Sequence, residues 1–376
     1  MYSQPKRIEF LDSIRGLAAL FVLFSHTFSA FNWPASLIAK AHWPFISIFS
    51  SGVEAVAMFF ILSGYVLSKP YVETGYATRR IFLPTFYLRR LIRIWPPWFF
   101  AFIISIFAKN LLFFHPATQP AVSKWLEGFW NAKLTAPDFF RQCAFLLHDA
   151  SRLLLNQDWS LGVELKGSAL IPLFLICARR KYVMSIFPLT GLFLIFVGTG
   201  HYYVTFIIGV LVAQYDSFLF ARLVRLGRVA RVTLFIGGLL LYQGYDFFLA
   251  VFHGSPLAIK YGWVLTAVGC AVILISVLGS QTLQRILNRK PFVFLGRISY
   301  SVYLLQFIII LCLLPPLVAL FNQFGVTQPL VLFLVTLLAS VAATIGCAAL
   351  MYRFIELPVI NFSHWLTKKI QIRFHG

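Results

Sequence analysis

Ionisable side chains are scarce in this sequence, so those that fall inside apolar runs are where chemistry is first sought. Of eight histidines, His26 alone sits well inside such a run, while His201 opens another and the rest lie in polar connections or tails. An imidazole titrates near neutrality, so it can take a proton from a hydroxyl or carry a transferred group itself. Arg15 precedes it by eleven positions, and eleven helical steps of about 100° return to within roughly 20° of the same direction, about 16 Å along the axis. Asp12 lies near that face, three positions before Arg15, and can pair with it. Glu164 is read as the one acid clearly inside a run. It lies about as far from the outer end of its segment as His26 does from its own, so a carboxylate and an imidazole can share one membrane layer, the usual arrangement for orienting a general base. The bland alternatives are a packing histidine satisfied by a neighbouring hydroxyl, and a Glu164 pair with Lys166, although positions two apart face away from each other on a helix.

A second kind of site is offered by Arg89, Arg90 and Arg93 in FYLRRLIRIWPPWFF. At spacings of three and four their guanidinium groups can converge, and each planar fork suits a phosphate. A purely topological role for these charges competes with that reading.

The elements that must position these groups are helices in a membrane. The 376 residues are 60% hydrophobic and only 12% charged, which excludes a water-soluble chain. Backbone groups in hydrocarbon must be satisfied internally, so the chain spans either as helices or as a closed barrel. The apolar runs are continuous over roughly 17 to 25 residues and do not alternate as barrel strands do, so the fold class is all-α and polytopic. About ten transmembrane helices are expected, over 14–31, 52–69, 94–114, 160–178, 183–198, 201–215, 232–250, 261–279, 298–320 and 330–350.

With both termini in the cytoplasm, 24 of the 32 Lys and Arg residues fall on the cytoplasmic side. The net charge of +20 is therefore mostly a topology signal. It points to anionic membrane lipids as general partners and not to nucleic acid. The first apolar run carries Asp12 and Arg15 at its entry and no cleavage site at its exit, so it is expected to be retained as a helix. The cysteines read as packing residues, since Cys177, Cys270, Cys312 and Cys347 lie in apolar segments. A single membrane domain is expected to fill 1–376, with one long extracytoplasmic connection at about 115–158. Pro116, Pro120 and Pro137 break it, Trp125 and Trp130 suit an interface, and short interfacial helices fit within it.

Six segments in order resemble the acyltransferase-3 family along most of the chain. FLDSIRGLAALFVLFSH resembles its first helix, with Arg15, a ten-residue spacer and His26. MFFILSGYVLS resembles the second-helix motif, with Ser63 and Gly64, and RRLIRIWP the basic motif before the third helix. DWSLGVELKGSALIP, LGRISYSVYLLQ and RFIELP resemble its Trp-Ser-Leu segment, its late Ser-Tyr motif and its C-terminal ending. One departure is Gln306, where the family often has histidine.

The resemblance implies an O-acyltransferase of a bacterial inner membrane, moving an acyl group, usually acetyl from acetyl-CoA, to a hydroxyl of an extracytoplasmic glycan. In that scheme His26 and Glu164 are catalytic, by direct proton abstraction or through a transient acyl-histidine. Asp12 and Arg15 support the first helix, Ser63 and Tyr300 donate to the developing oxyanion, and Arg89, Arg90 and Arg93 hold the coenzyme phosphates. No metal is expected. A transporter or flippase of a polar or lipid-linked substrate is the rival class, but it would favour paired broken helices in two matching halves, and no such symmetry is visible.

Overall fold

The computed structural model describes residues 8–33, 48–73, 83–114, 119–149, 151–179, 200–252 and 255–375, with Tyr182, Ile186, Leu189 and Thr190. Its helices are α1 (Glu9–Ser29), α2 (Gly52–Glu73), α3 (Leu83–Leu111), α4 (Lys124–Glu127), α5 (Ala136–Cys143), α6 (Asp158–Cys177) and α7 (Gly200–Arg225). They continue as α8 (Arg228–Tyr242), α9 (Gly244–Val251), α10 (Pro256–Leu278), α11 (Gln281–Leu287), α12 (Lys290–Gln323), α13 (Pro329–Met351), a π turn (Tyr352–Glu356) and α14 (Leu357–His375). Eight of the described helical stretches are long and apolar enough to cross a membrane. The chain is thus an all-α, multi-pass membrane protein. The expected span at 183–198 lies, apart from three isolated positions, outside the described residues.

Two expected spans are placed differently. The segment 232–250 is not one helix, because it breaks at Gln243 into α8 and α9. The break is stabilised by groups that satisfy the new helix start: the Tyr245 amide donates to Thr266 Oγ1 at 2.9 Å and the Asp246 amide donates to Glu54 Oε1 at 3.2 Å. The third span begins eleven residues before 94, at Leu83, so the arginine motif lies on α3 and not ahead of it. Pro96 and Pro97 inside α3 remove two ladder donors. On the same helix the Ile94 carbonyl accepts from the Tyr300 hydroxyl at 2.8 Å.

The chain divides into two compact units whose boundaries run through helices. The first comprises Met1–Ala18, Val53–Leu83 and Val163–Gly296. Its helices approach closely at glycines, as membrane helices do where small residues let backbones meet. A Cβ on Gly64 of α2 would lie 2.5 Å from the Phe206 carbonyl oxygen and 3.1 Å from Gly209 Cα, both on α7. A Cβ on Gly16 of α1 would lie 2.7 Å from the Gly296 amide on α12.

The second unit comprises Ala19–Gly52, Pro84–Gly162 and Arg297–Gly376. It contains the long connection, which holds the two short helices α4 and α5. Thr135 and Asp138 form a capping box on α5, and Arg152 Nη1 donates to Asp138 Oδ2 at 3.0 Å. Hydrogen bonding by Thr135 holds the Asp138 carboxyl below the usual aspartate range, with Arg152 acting in the same direction. At the entry to α6, buried Asp158 accepts from Trp98 Nε1 at 2.7 Å and from Gln142 Nε2 at 2.6 Å, which ties α3, α5 and α6 together.

Candidate active site

His26 stands on the last two turns of α1, in the part of that helix belonging to the second unit. Its Nδ1 is buried and has no hydrogen-bond partner among the described residues. The hydroxyl that a packing histidine would need is therefore not at that nitrogen. Aromatic rings surround the imidazole instead: Phe307 of α12 at 5.1 Å and Trp125 of α4 at 5.8 Å between centroids. A buried polar atom without a partner costs about 1–3 kcal/mol.

The same stretch of α12 organises further polar groups of the second unit. Gln157 Nε2 donates to the carbonyls of Tyr303 and Leu304 at 3.0 and 2.6 Å, and Ser160 shares a 2.5 Å hydrogen bond with the Tyr303 hydroxyl. Gln306 is fully buried, and neither of its amide atoms has a partner among the described residues. The Ser-Tyr motif and the C-terminal RFIELP segment are joined directly, because Ser301 Oγ donates to Glu356 Oε2 at 2.7 Å. Glu356 closes a π turn, and such turns recur at functional positions.

In the first unit, Ser63 Oγ donates to Glu164 Oε1 at 3.1 Å, so the second-helix motif and the Trp-Ser-Leu segment meet there. Lys166, the alternative partner, is exposed. Asp12 and Arg15 form the expected pair, with Arg15 Nη1 3.6 Å from Asp12 Oδ1. The two hydroxyls considered as oxyanion donors already point elsewhere, Ser63 at Glu164 and Tyr300 at the Ile94 carbonyl.

The three arginines do not share one surroundings. Arg90 is buried, whereas Arg93 is exposed and Arg89 intermediate. Arg89 Nε donates to Thr367 Oγ1 of α14 at 2.8 Å. His364, one turn earlier on α14, lies within the electrostatic reach of both Arg89 and Arg93. The cationic surface is thus built from α3 and α14 together. Short motifs on α3 alone could not reveal the share contributed by Thr367 and His364.

Glu54 is a second acid within an expected span, so Glu164 is not alone in that respect. Glu54 lies two residues into α2 and is fully buried, where it receives the start of α9. Its position inside the expected span 52–69 was the available signal. A further cluster in this unit joins Asp216 to Lys69 and to the Tyr65 hydroxyl, the latter at 3.2 Å. Among the described residues no group of three His, Cys, Asp or Glu side chains is placed to hold a metal ion.

The chain is thus an all-helical, multi-pass membrane protein that carries six motifs in order, with His26 on its first helix. The chain belongs to the family described as "Acyltransferase domain", whose model matches residues 8–352. It is 23% identical to the O-acetyltransferase OatA of Staphylococcus aureus (strain NCTC 8325) over 96% of this chain and 58% of that protein. It is 24% identical to the peptidoglycan O-acetyltransferase OatA of Listeria monocytogenes serovar 1/2a (strain EGD-e) over 94% of this chain and 56% of that protein. The chain therefore spans somewhat over half the length of these relatives. No solved structure matches it.

Proposed function

We propose that this chain moves an acyl group, acetyl in the first instance, from acyl-CoA on the cytoplasmic side to a hydroxyl of a cell-envelope glycan on the other. The observation that carries the reading is His26: an imidazole on a spanning helix, in the family's first motif, with a buried nitrogen that no described residue satisfies. The names of the relatives support acetyl as the group and peptidoglycan as one acceptor.

In this reading the acceptor hydroxyl loses its proton to His26 while its oxygen attacks the thioester carbonyl carbon. The carbon–sulfur bond then breaks, and the proton passes to the departing thiolate, so atoms and charge balance. Glu164 is the second group assigned to catalysis in this reading. A transient acyl-histidine followed by transfer to the hydroxyl gives the same products. Arg89, Arg90 and Arg93, with Thr367 and His364 of α14 beside them, are assigned to the phosphates of a coenzyme A donor. Asp12 and Arg15 brace the start of α1, and Ser63 fixes the Glu164 carboxyl.

The test is mass spectrometry of envelope glycans from cells with and without the protein, alongside His26→Ala and Arg93→Ala. Both variants should insert normally and lose the ester. Full acylation by His26→Ala would remove that residue from the mechanism, and substrate movement with no acyl modification would identify a transporter instead.

A further inference from the structure

We propose that Trp125 is the positioning residue that seats a sugar ring of the acceptor beside His26; this rests on the acyltransfer reading above. Its placement is set by the backbone. The end of α1 is stitched to the segment before α4: the Ser123 amide donates to the Ala30 carbonyl at 2.9 Å, Ser123 Oγ donates to the Ser29 carbonyl at 2.6 Å and the Asn32 amide donates to the Ala121 carbonyl at 2.8 Å. Phe31 and Val122 pair as an isolated bridge in the same seam. These bonds satisfy carbonyls that the end of α1 would otherwise leave without partners. They also hold the indole at a set height against the imidazole, since Trp125 follows Ser123 by two residues and His26 precedes Ser29 by three.

The surroundings are rigid and apolar. Trp125 packs against Phe129 at 5.2 Å and Phe307 at 5.6 Å, and those two rings stack edge-on to each other at 4.8 Å. Phe129, Phe307 and Trp130 are buried, yet Trp125 keeps 37% of its surface exposed. Trp130 and Phe145 hold left-handed backbone angles, φ 62° and 55°, that bulky residues avoid. Such strain costs about 1–3 kcal/mol per residue and persists only where the surroundings over-determine it. One restraint is visible, the Trp130 Nε1 donation to the Leu154 carbonyl at 3.1 Å. The connection is therefore a preorganised platform with one large indole left partly uncovered.

A pyranose matches that surface. One face of the sugar presents C–H bonds whose partial positive charge complements the electron-rich indole face. Its rim of hydroxyls stays free to reach the imidazole 5.8 Å from the indole centre. Apolar acyl chains or lipid tails could cover the indole but offer the imidazole no hydroxyl. The indole thus recognises the ring, and His26 acts on a hydroxyl.

The test uses the full chain in lipid nanodiscs with acetyl-CoA and soluble glycan fragments released from bacterial cell wall by a muramidase. Trp125→Ala should raise the acceptor KM at least tenfold, with the acetyl-CoA KM within twofold of wild type, and Trp125→Phe or Trp125→Tyr should recover most of the loss. An unchanged acceptor KM in Trp125→Ala overturns the proposal. So does an equal rise in both KM values with a lowered melting temperature, which would mark the indole as packing alone. If the wild-type protein transfers no acyl group to these fragments while His26→Ala behaves identically, the acyltransfer reading falls with it; transfer by the wild type with a kinetically normal Trp125→Ala sinks only the inference about Trp125.

Discussion

Replacing Gly64 by alanine should force α2 and α7 apart and loosen the carboxylate held between the second-helix motif and α6. The new methyl carbon would sit 2.5 Å from the Phe206 carbonyl oxygen, with Gly209 Cα at 3.1 Å behind it. Ordinary carbon–oxygen contacts lie at about 3.3–3.6 Å, so the backbones must separate by roughly 0.8–1.1 Å. Both obstacles are main chain, and no rotamer change can relieve them. Overpacking of this kind costs about 1–3 kcal/mol. The neighbouring Ser63–Glu164 hydrogen bond, 3.1 Å long, would stretch beyond bonding range under the same shift. Its loss adds about 0.5–1.5 kcal/mol. A displacement near 1 Å can lower turnover on the order of 100-fold even when the protein stays folded. Thermal unfolding of the detergent-solubilised protein, followed by size-exclusion recovery after heating, reads the stability; envelope acylation reads the activity. Gly237→Ala on α8 and Gly346→Ala on α13 are the controls, because a Cβ there meets nothing within 4 Å. They should melt at or above the wild-type temperature. A Gly64→Ala protein with wild-type melting and wild-type acylation would refute the close approach of these two helices as a requirement of the fold.

Two further outcomes are expected. Gln306→Met removes two buried amide atoms that have no partner among the described residues while keeping side-chain length, so it should raise stability by about 1–3 kcal/mol yet lower acylation more than tenfold; a lower melting temperature would mean that the amide is already satisfied in the resting protein. Asp138 has a folded-state pKa depressed by Thr135 and Arg152, so its contribution is fully present above the ordinary aspartate value near 4 and is lost as pH falls through the lower folded value. Proteolysis of the 119–158 connection should therefore accelerate only below about pH 4 in the wild type but be fast at every pH in Asp138→Ala, and a connection equally resistant in that variant at neutral pH would remove the ion pair from its stability.

Class, approximate spans and motif order were legible because the bilayer imposes a simple rule on composition. A helix of sufficient length and apolarity needs no tertiary information to be recognised. The first-helix pair behaved in the same way, since Asp12 and Arg15 are neighbours on one helix and their contact follows from helical spacing alone. The prolines and interfacial tryptophans of the long connection likewise pointed to short helices within it, and α4 and α5 lie there.

What the tertiary structure decided involves groups distant in the chain. The break at Gln243 depends on Glu54 and Thr266, which come from two other helices and satisfy amides that an isolated helix would have kept for itself. Tyr300 looks like a free hydroxyl in its motif, but the Ile94 carbonyl of α3 accepts from it. The arginine motif has one composition and three environments, because Arg90 is buried, Arg93 is exposed and Arg89 meets Thr367 of α14. Periodicity reports which face of a helix is apolar; it carries no information about which distant backbone group waits opposite a given side chain, and in a membrane each such group needs a partner.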